Sequence, residues 1–211
     1  MKHALFLLAL LLSFSGPAAD ATRDFTLAAS GVPTQPDIKP APLGKYQAKA
    51  GRVTDPTTLQ GKLVMGYQGW FSCAGDGSQL DRWNHWTADR AFPTPENIRV
   101  AMWPDLTEYD PDELYTTGLT YPNGSPAKVY SAWNLKTVMR HFRWMREYGL
   151  DGAMHYRFMS RIPTHPEVRA FYDKVLDNVR MAAEANGRVF AVQYDISDYK
   201  GGSIVDDIEN D

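Results

Sequence analysis

The 211-residue chain sets 22 Lys and Arg against 25 Asp and Glu, interspersed along its length, for a net charge of −3, which leaves no basic stripe of the kind a nucleic-acid surface needs. Its single cysteine, Cys73, rules out an intramolecular disulfide. Six Trp and eleven Tyr suit core packing and stacking against sugar faces alike.

Met1 to Ala21 reads as a cleaved secretory signal. Lys2 and His3 form a short basic start, Ala4 to Phe14 is apolar and Leu-rich, and Ala19-Asp20-Ala21 fits the small-x-small cleavage pattern, which places the mature start at Thr22. The apolar run is shorter than the roughly 20 residues that span a bilayer, so a secreted or periplasmic protein without stable membrane insertion is expected. Residues 22–60 are rich in Pro, Ala, Thr and Gly, with Pro33, Pro36, Pro40, Pro42 and Pro56 breaking any period. They read as an extended leader or linker, and the folded part, 61–211, is expected to begin near Gly61.

Three apolar runs then end in aromatic and polar residues: Leu63-Val-Met-Gly-Tyr-Gln-Gly-Trp-Phe71, Asp151-Gly-Ala-Met-His-Tyr-Arg-Phe-Met159 and Arg188-Val-Phe-Ala-Val-Gln-Tyr-Asp-Ile-Ser197. Each reads as a buried parallel strand. Between the first two lies a long excursion from Ser72 to about Ala132, too rich in Trp, Tyr and Pro for a linker and read as an ordered active-site insertion. Tyr121-Pro-Asn-Gly124 predicts a hairpin turn between Gly118–Tyr121 and Ala127–Tyr130. Its acidic segment, Met102 to Tyr115, is expected to be a solvated turn.

The first helix is predicted from Asn134, as N-cap, to Tyr148, with Gly149 closing it. Val138, Phe142, Met145 and Tyr148 form its apolar stripe, and Arg140, Arg143 and Arg146 are read as a solvated face. A second helix opens on the capping-box pattern Thr164-x-x-Glu167, buries Val168, Phe171, Val175, Val179 and Ala182, and stops at Gly187. A third opens near Ser203, with Ile204, Val205 and Ile208 on one side.

Strand, helix, strand, helix, strand is shared by a (β/α)8 barrel and a doubly wound sheet. No G-x-G-x-x-G or P-loop follows any strand, and polar-aromatic strand ends favour the barrel. A full barrel runs to about 250 residues, so 61–211 is read as its N-terminal portion, apparently truncated: about three βα units with a long insertion after the first strand.

Trp83-Asn-His-Trp86 is the densest constellation. Trp86 offers a flat apolar face for a pyranose, while Asn84, His85 and Gln68 supply donors and acceptors for hydroxyls; packing of a Trp-rich loop is the competing reading. His155, Tyr156 and Arg157 end the second strand, and Tyr194 and Asp195 the third, where a barrel places substrate contacts. Asp195 equally suits a hydrogen bond to its following loop, and Arg157 suits orienting a carboxylate within the protein. The histidines are scattered, with no metal-site spacing.

Gly66-Tyr-Gln-Gly-Trp-Phe71, Trp83-Asn-His-Trp86, Met102-Trp-Pro-Asp-Leu106, Glu108-Tyr-Asp-Pro-Asp-Glu-Leu-Tyr115, His141-Phe-Arg-Trp-Met-Arg-Glu-Tyr-Gly149 and Tyr194-Asp-Ile-Ser197 together resemble bacterial proteins related to glycoside hydrolase families 71 and 99, the latter including endo-α-mannosidases. The resemblance implies a secreted (β/α)8 barrel acting on α-linked glycans or a related polysaccharide, without metal or organic cofactor. It implies sugar subsites lined by Tyr67, Trp70, His85, Trp86, Tyr194 and Asp195. The catalytic carboxylates of the family are expected on later strands, so no catalytic acid, base or nucleophile is assigned. A non-catalytic carbohydrate-binding or vestigial fragment is the alternative.

Overall fold

The computed structural model describes residues 53–211. The expected signal and most of the leader lie outside these residues. The chain is tied into the fold before Gly61. The backbone N–H of Thr54 donates to Gly187 O (2.9 Å) and its hydroxyl to Asp151 Oδ1 (3.2 Å), and Thr54 is buried.

Three parallel strands form the central sheet: β1 (Val64–Tyr67), β4 (Gly152–Phe158) and β5 (Val189–Asp195), in the order β1-β4-β5. Tyr67 registers with His155, and Phe158 with Asp195. Between β1 and β4 come the hairpin β2 (Leu114–Thr120) and β3 (Pro126–Tyr130), then α1 (Leu135–Glu147). The hairpin turns where Tyr121-Pro-Asn-Gly124 predicts, with Gly124 at φ 81°. α2 (Pro166–Asn186) joins β4 to β5, and a short α3 (Ile204–Glu209) follows.

Both long helices cover one face of the sheet. Val138, Phe142 and Met145 of α1 and Val179, Ala182 and Ala183 of α2 share a core with Tyr67, Ala153 and Phe190. Alternation of side chains across a strand therefore puts Ala153, His155 and Arg157 under the helices, and all three are buried. Met154, Tyr156 and Phe158, on the other face, are half-exposed. α2 ends as expected, at Gly187 in the left-handed conformation (φ 58°), which costs glycine no Cβ clash. Its start differs: His165 is the N-cap, and the Thr164 hydroxyl meets His165 Nδ1 instead of a helix N–H, so the capping box does not form. Asn134 is the N-cap of α1, but its side chain pairs with the Tyr115 hydroxyl. Tyr148 is half-exposed and outside the buried stripe, and Val205 likewise faces out while Ile204 and Ile208 pack inward.

Two of the three arginines read as a solvated face, Arg140 and Arg143, are instead paired with Glu113 and Glu108 of the acidic segment, whereas Arg146 is half-exposed and Asp105 and Asp112 are exposed as expected. Lys136, Arg140 and Arg143 lie on one side of the helix, and the loop carrying Glu108, Asp110, Asp112 and Glu113 docks there. Glu113, in the 3₁₀ turn Pro111–Glu113, accepts from the Asp110 N–H (2.9 Å) and the Thr137 hydroxyl (2.7 Å). Arg140 Nη2 sits 2.6 Å from Glu113 Oε1 with both side chains at 2% exposure or less. Its N–H bonds miss the oxygen, so this contact is coulombic, and the guanidinium also lies 4.4 Å above the Tyr109 ring.

Removing one partner of a buried pair strands the other charge, at about 3–5 kcal/mol, whereas a solvated pair is worth about 1 kcal/mol or less. Glu113→Ala is therefore expected to lose several-fold more stability than Asp112→Ala, which removes the exposed partner of Lys136. Urea denaturation of both variants checks this, and equal losses would show that the docking is not carried by Glu113.

Candidate functional site

Two cups lie at the C-terminal ends of the strands. One, of about 210 Å³, lies between the end of β4, the first turns of α2 and the insertion. Phe158, Leu80, Val168 and Phe171 form its apolar part, and Arg82, Asn84, His85, Arg90, Ser160, Arg161 and Tyr172 supply polar atoms. The other, of about 230 Å³, lies beside the end of β1 and is lined by Gly66, Tyr67, Gln68, Phe71, Tyr130, Ala132 and His141.

The first cup is built around a stacked pair. Trp70 follows β1 and its indole lies 4.8 Å from the His85 ring, nearly parallel, with Phe158 at 5.0 Å and Tyr156 edge-on at 6.1 Å. Asn84 holds this arrangement by donating from Nδ2 to Trp70 O (2.8 Å). His85 has φ 62°, and Asp81 and Arg90 of the same loop are also left-handed, a conformation that side chains with a Cβ adopt only under constraint. Burial, then Arg99 and Arg90, pull the His85 pKa down to about 4, so the ring is a neutral stacking and hydrogen-bonding group at pH 7.

The turn into this site leaves no room for a side chain at Gly69. A Cβ there would stand 2.6 Å from Val175 Cγ1 and 3.0 Å from His155 Cε1. His155 is fully buried beneath it, and neither ring nitrogen meets a hydrogen-bond partner among the described residues.

In the second cup, His141 bridges two phenols. Tyr67 Oη is 2.9 Å from Nδ1 and Tyr109 Oη 2.6 Å from Nε2. Burial, then Arg140, depress the His141 pKa to about 3, and burial also raises both phenols, so all three groups are neutral. A neutral imidazole accepts from one phenol and donates to the other, which leaves that second hydroxyl hydrogen free for a further acceptor.

The eleven residues singled out from sequence divide accordingly. Asn84 and His85 line the first cup, with Trp70 and Tyr156 immediately behind, and Tyr67 and Gln68 line the second. Trp86 is 2% exposed, with its indole N–H given to Tyr130 O (3.0 Å), and packs with Phe71 and Trp83. His155 and Arg157 lie under the helices. Arg157 orients carboxylates, its Nε and Nη2 donating to Asp211 (2.6 and 2.5 Å) and Nη2 also to Asp173 (2.8 Å). Tyr194 registers with Arg157, on that same face. Asp195 is at the same end of the sheet as Trp70 and His85, and its Oδ1 accepts from the Ser197 N–H (2.8 Å). Sequence reasoning missed Arg82, Arg90, Ser160 and Arg161. The last two directly follow a predicted strand end, a position that could have been read.

No group of three or more His, Cys, Asp or Glu side chains able to hold a metal ion occurs among the described residues. No helix among them is long and apolar enough to cross a membrane. Comparison with protein-family models, curated proteins and solved structures finds no match for this chain.

Three histidines held neutral by burial set the acid behaviour. His85 is drawn to about 4 and His141 and His155 to about 3, against an ordinary 6.5. The unfolded chain thus binds protons that the folded chain does not. Their contribution to stability is complete above pH 6.5 and is lost progressively as pH falls from 6.5 towards 3. Urea midpoints measured from pH 7.5 to 4 are expected to fall, and to fall less in His155→Leu. An unchanged pH dependence in that variant would place His155 outside this effect.

Proposed function

We propose that this protein is a carbohydrate-binding member of the glycoside hydrolase-like group, with its parallel βαβαβ unit forming the opening of a (β/α)8 barrel and the first cup holding a saccharide of an α-linked glycan. One observation carries this reading. Trp70, His85 and Phe158 form an aromatic bed at the C-terminal ends of β1 and β4, and Asn84, Ser160 and Tyr172 stand around it as hydroxyl partners. That combination of flat apolar faces with a few convergent polar groups suits a pyranose ring. The placement of both helices on one face, with Gly66, Tyr156 and Phe158 on the other, supports the barrel part of the proposal. Export across a membrane belongs to the same proposal and rests on Met1 to Ala21.

Binding is favoured over hydrolysis by these residues because no Asp or Glu is among the described residues lining either cup. Hydrolysis of a glycoside commonly uses two carboxyl groups across the scissile bond, roughly 5–10 Å apart. Asp195, at the strand end, already accepts a backbone N–H.

The test is a titration with fragments of α-mannan, α-glucan and xylan, followed by nuclear magnetic resonance and by release of reducing ends. Saturable shifts centred on Trp70, His85 and Ser160, without release of reducing ends, are expected for at least one α-linked fragment. Shifts located elsewhere, or none, would sink the saccharide reading. Turnover abolished by Asp195→Ala would replace binding with catalysis.

A further inference from the structure

We infer that the first cup selects an acidic saccharide, a sugar ring carrying an oxyanion such as a carboxylate, sulfate or phosphate ester; this rests on the saccharide reading above. The observation is a cluster of arginines. Arg140, Arg143, Arg157, Arg169 and Arg180 are each given a carboxylate by the fold. Arg82, Arg90 and Arg161 come together on one cup of about 210 Å³, and none of them forms an ion pair among the described residues.

Three arginines that line one cup and form no ion pair among the described residues repel one another, with Glu167 the nearby carboxylate that opposes this at Arg82, and the apolar walls of Phe158 and Phe171 lower the local dielectric and strengthen that repulsion. Arg82 carries a further desolvation cost. Its Nε is sealed from solvent and meets no hydrogen-bond acceptor among the described residues, a cost that a ligand oxygen would reverse. Burial first, and then Arg90 and Arg161, make its protonated form harder to hold, opposed by Glu167. An oxyanion answers all three groups, because planar guanidinium forks match carboxylate and phosphate oxygens in pairs. The ring that bears it would lie on the neutral His85, stacked on Trp70, with Ser160 in reach of its hydroxyls.

The experiment uses matched ligands on the full chain. Calorimetry compares α-linked galacturonate oligomers with their methyl esters, a sulfated α-glucan fragment with its unsulfated form, and inorganic phosphate alone, each at low and high salt. The acidic member of each pair is expected to bind about tenfold more tightly at low salt, with the preference shrinking at high salt as screening grows. Arg82→Gln is expected to collapse the ratio of acidic to neutral affinity towards one. Arg90→Gln, at an exposed position, repeats the test without disturbing buried packing. Equal binding of acidic and neutral members overturns this inference and leaves the saccharide reading standing. Binding of phosphate with no saccharide binding overturns both in favour of a simple anion site, and binding of no ligand also overturns both.

Discussion

The carboxylate of Glu113, closed inside the protein against Arg140, is the contact on which the rest of the architecture hangs. Between β1 and β4 the chain leaves the sheet for more than a third of the described residues, and the β2–β3 ladder within that excursion is not joined to the central sheet. Glu113 gathers the returning segment: it accepts the Asp110 N–H and the Thr137 hydroxyl while facing Arg140, which in turn lies over the Tyr109 ring. Tyr109 then reaches His141, and His141 reaches Tyr67 at the end of β1. The buried charge pair thus connects the insertion, the first helix and the sheet, and Tyr67 and His141 at the far end of that connection line the second cup.

A second anchor acts near the start of the insertion. Asp76 accepts from the Cys73 and Ser78 N–H groups and from the Ser131 hydroxyl (2.6 Å), which fastens the segment after β1 to the end of β3. Trp83 and Trp86 pack against Val129 on this frame. The aromatic residues therefore have two distinct duties. Trp86 is consumed in holding the insertion together, while Trp70, one step from the sheet, is left with a face for His85. Composition counts both equally, and only position separates them.

Much of the fold was legible because it follows from periodicity. The three strands, the buried stripes of α1 and α2, the Gly187 stop and the Tyr121–Gly124 turn all depend on residues close together in sequence. The docking of acidic loop on basic helix was not legible, since each half looks solvated until its partner, 24 residues away at Glu113 and Thr137, is known to face it. The cleft arginines were missed for a related reason. Arg82 and Arg90 sit in an irregular loop and Arg161 beyond a strand, and no sequence period relates them. Strand-end membership proved too coarse to locate side chains: His155 and Arg157 end a strand as Tyr156 and Phe158 do, but alternation sends the first pair under the helices and the second pair to the open face.

The left-handed residues of the cleft loop constrain how this sequence can vary. Asp81, His85 and Arg90 at φ 37°, 62° and 64° occupy backbone conformations that glycine, asparagine and aspartate tolerate and that β-branched residues resist. Position 85 must in addition present a flat ring to Trp70, which glycine cannot do. Drift at 81 and 90 is thus channelled towards small polar residues and glycine, whereas 85 is squeezed between a backbone that rejects most side chains and a stack that requires a planar one. Tyrosine and asparagine each meet one demand better than the other. Histidine meets both, so a descendant of this chain that keeps the cleft has very few alternatives at that position.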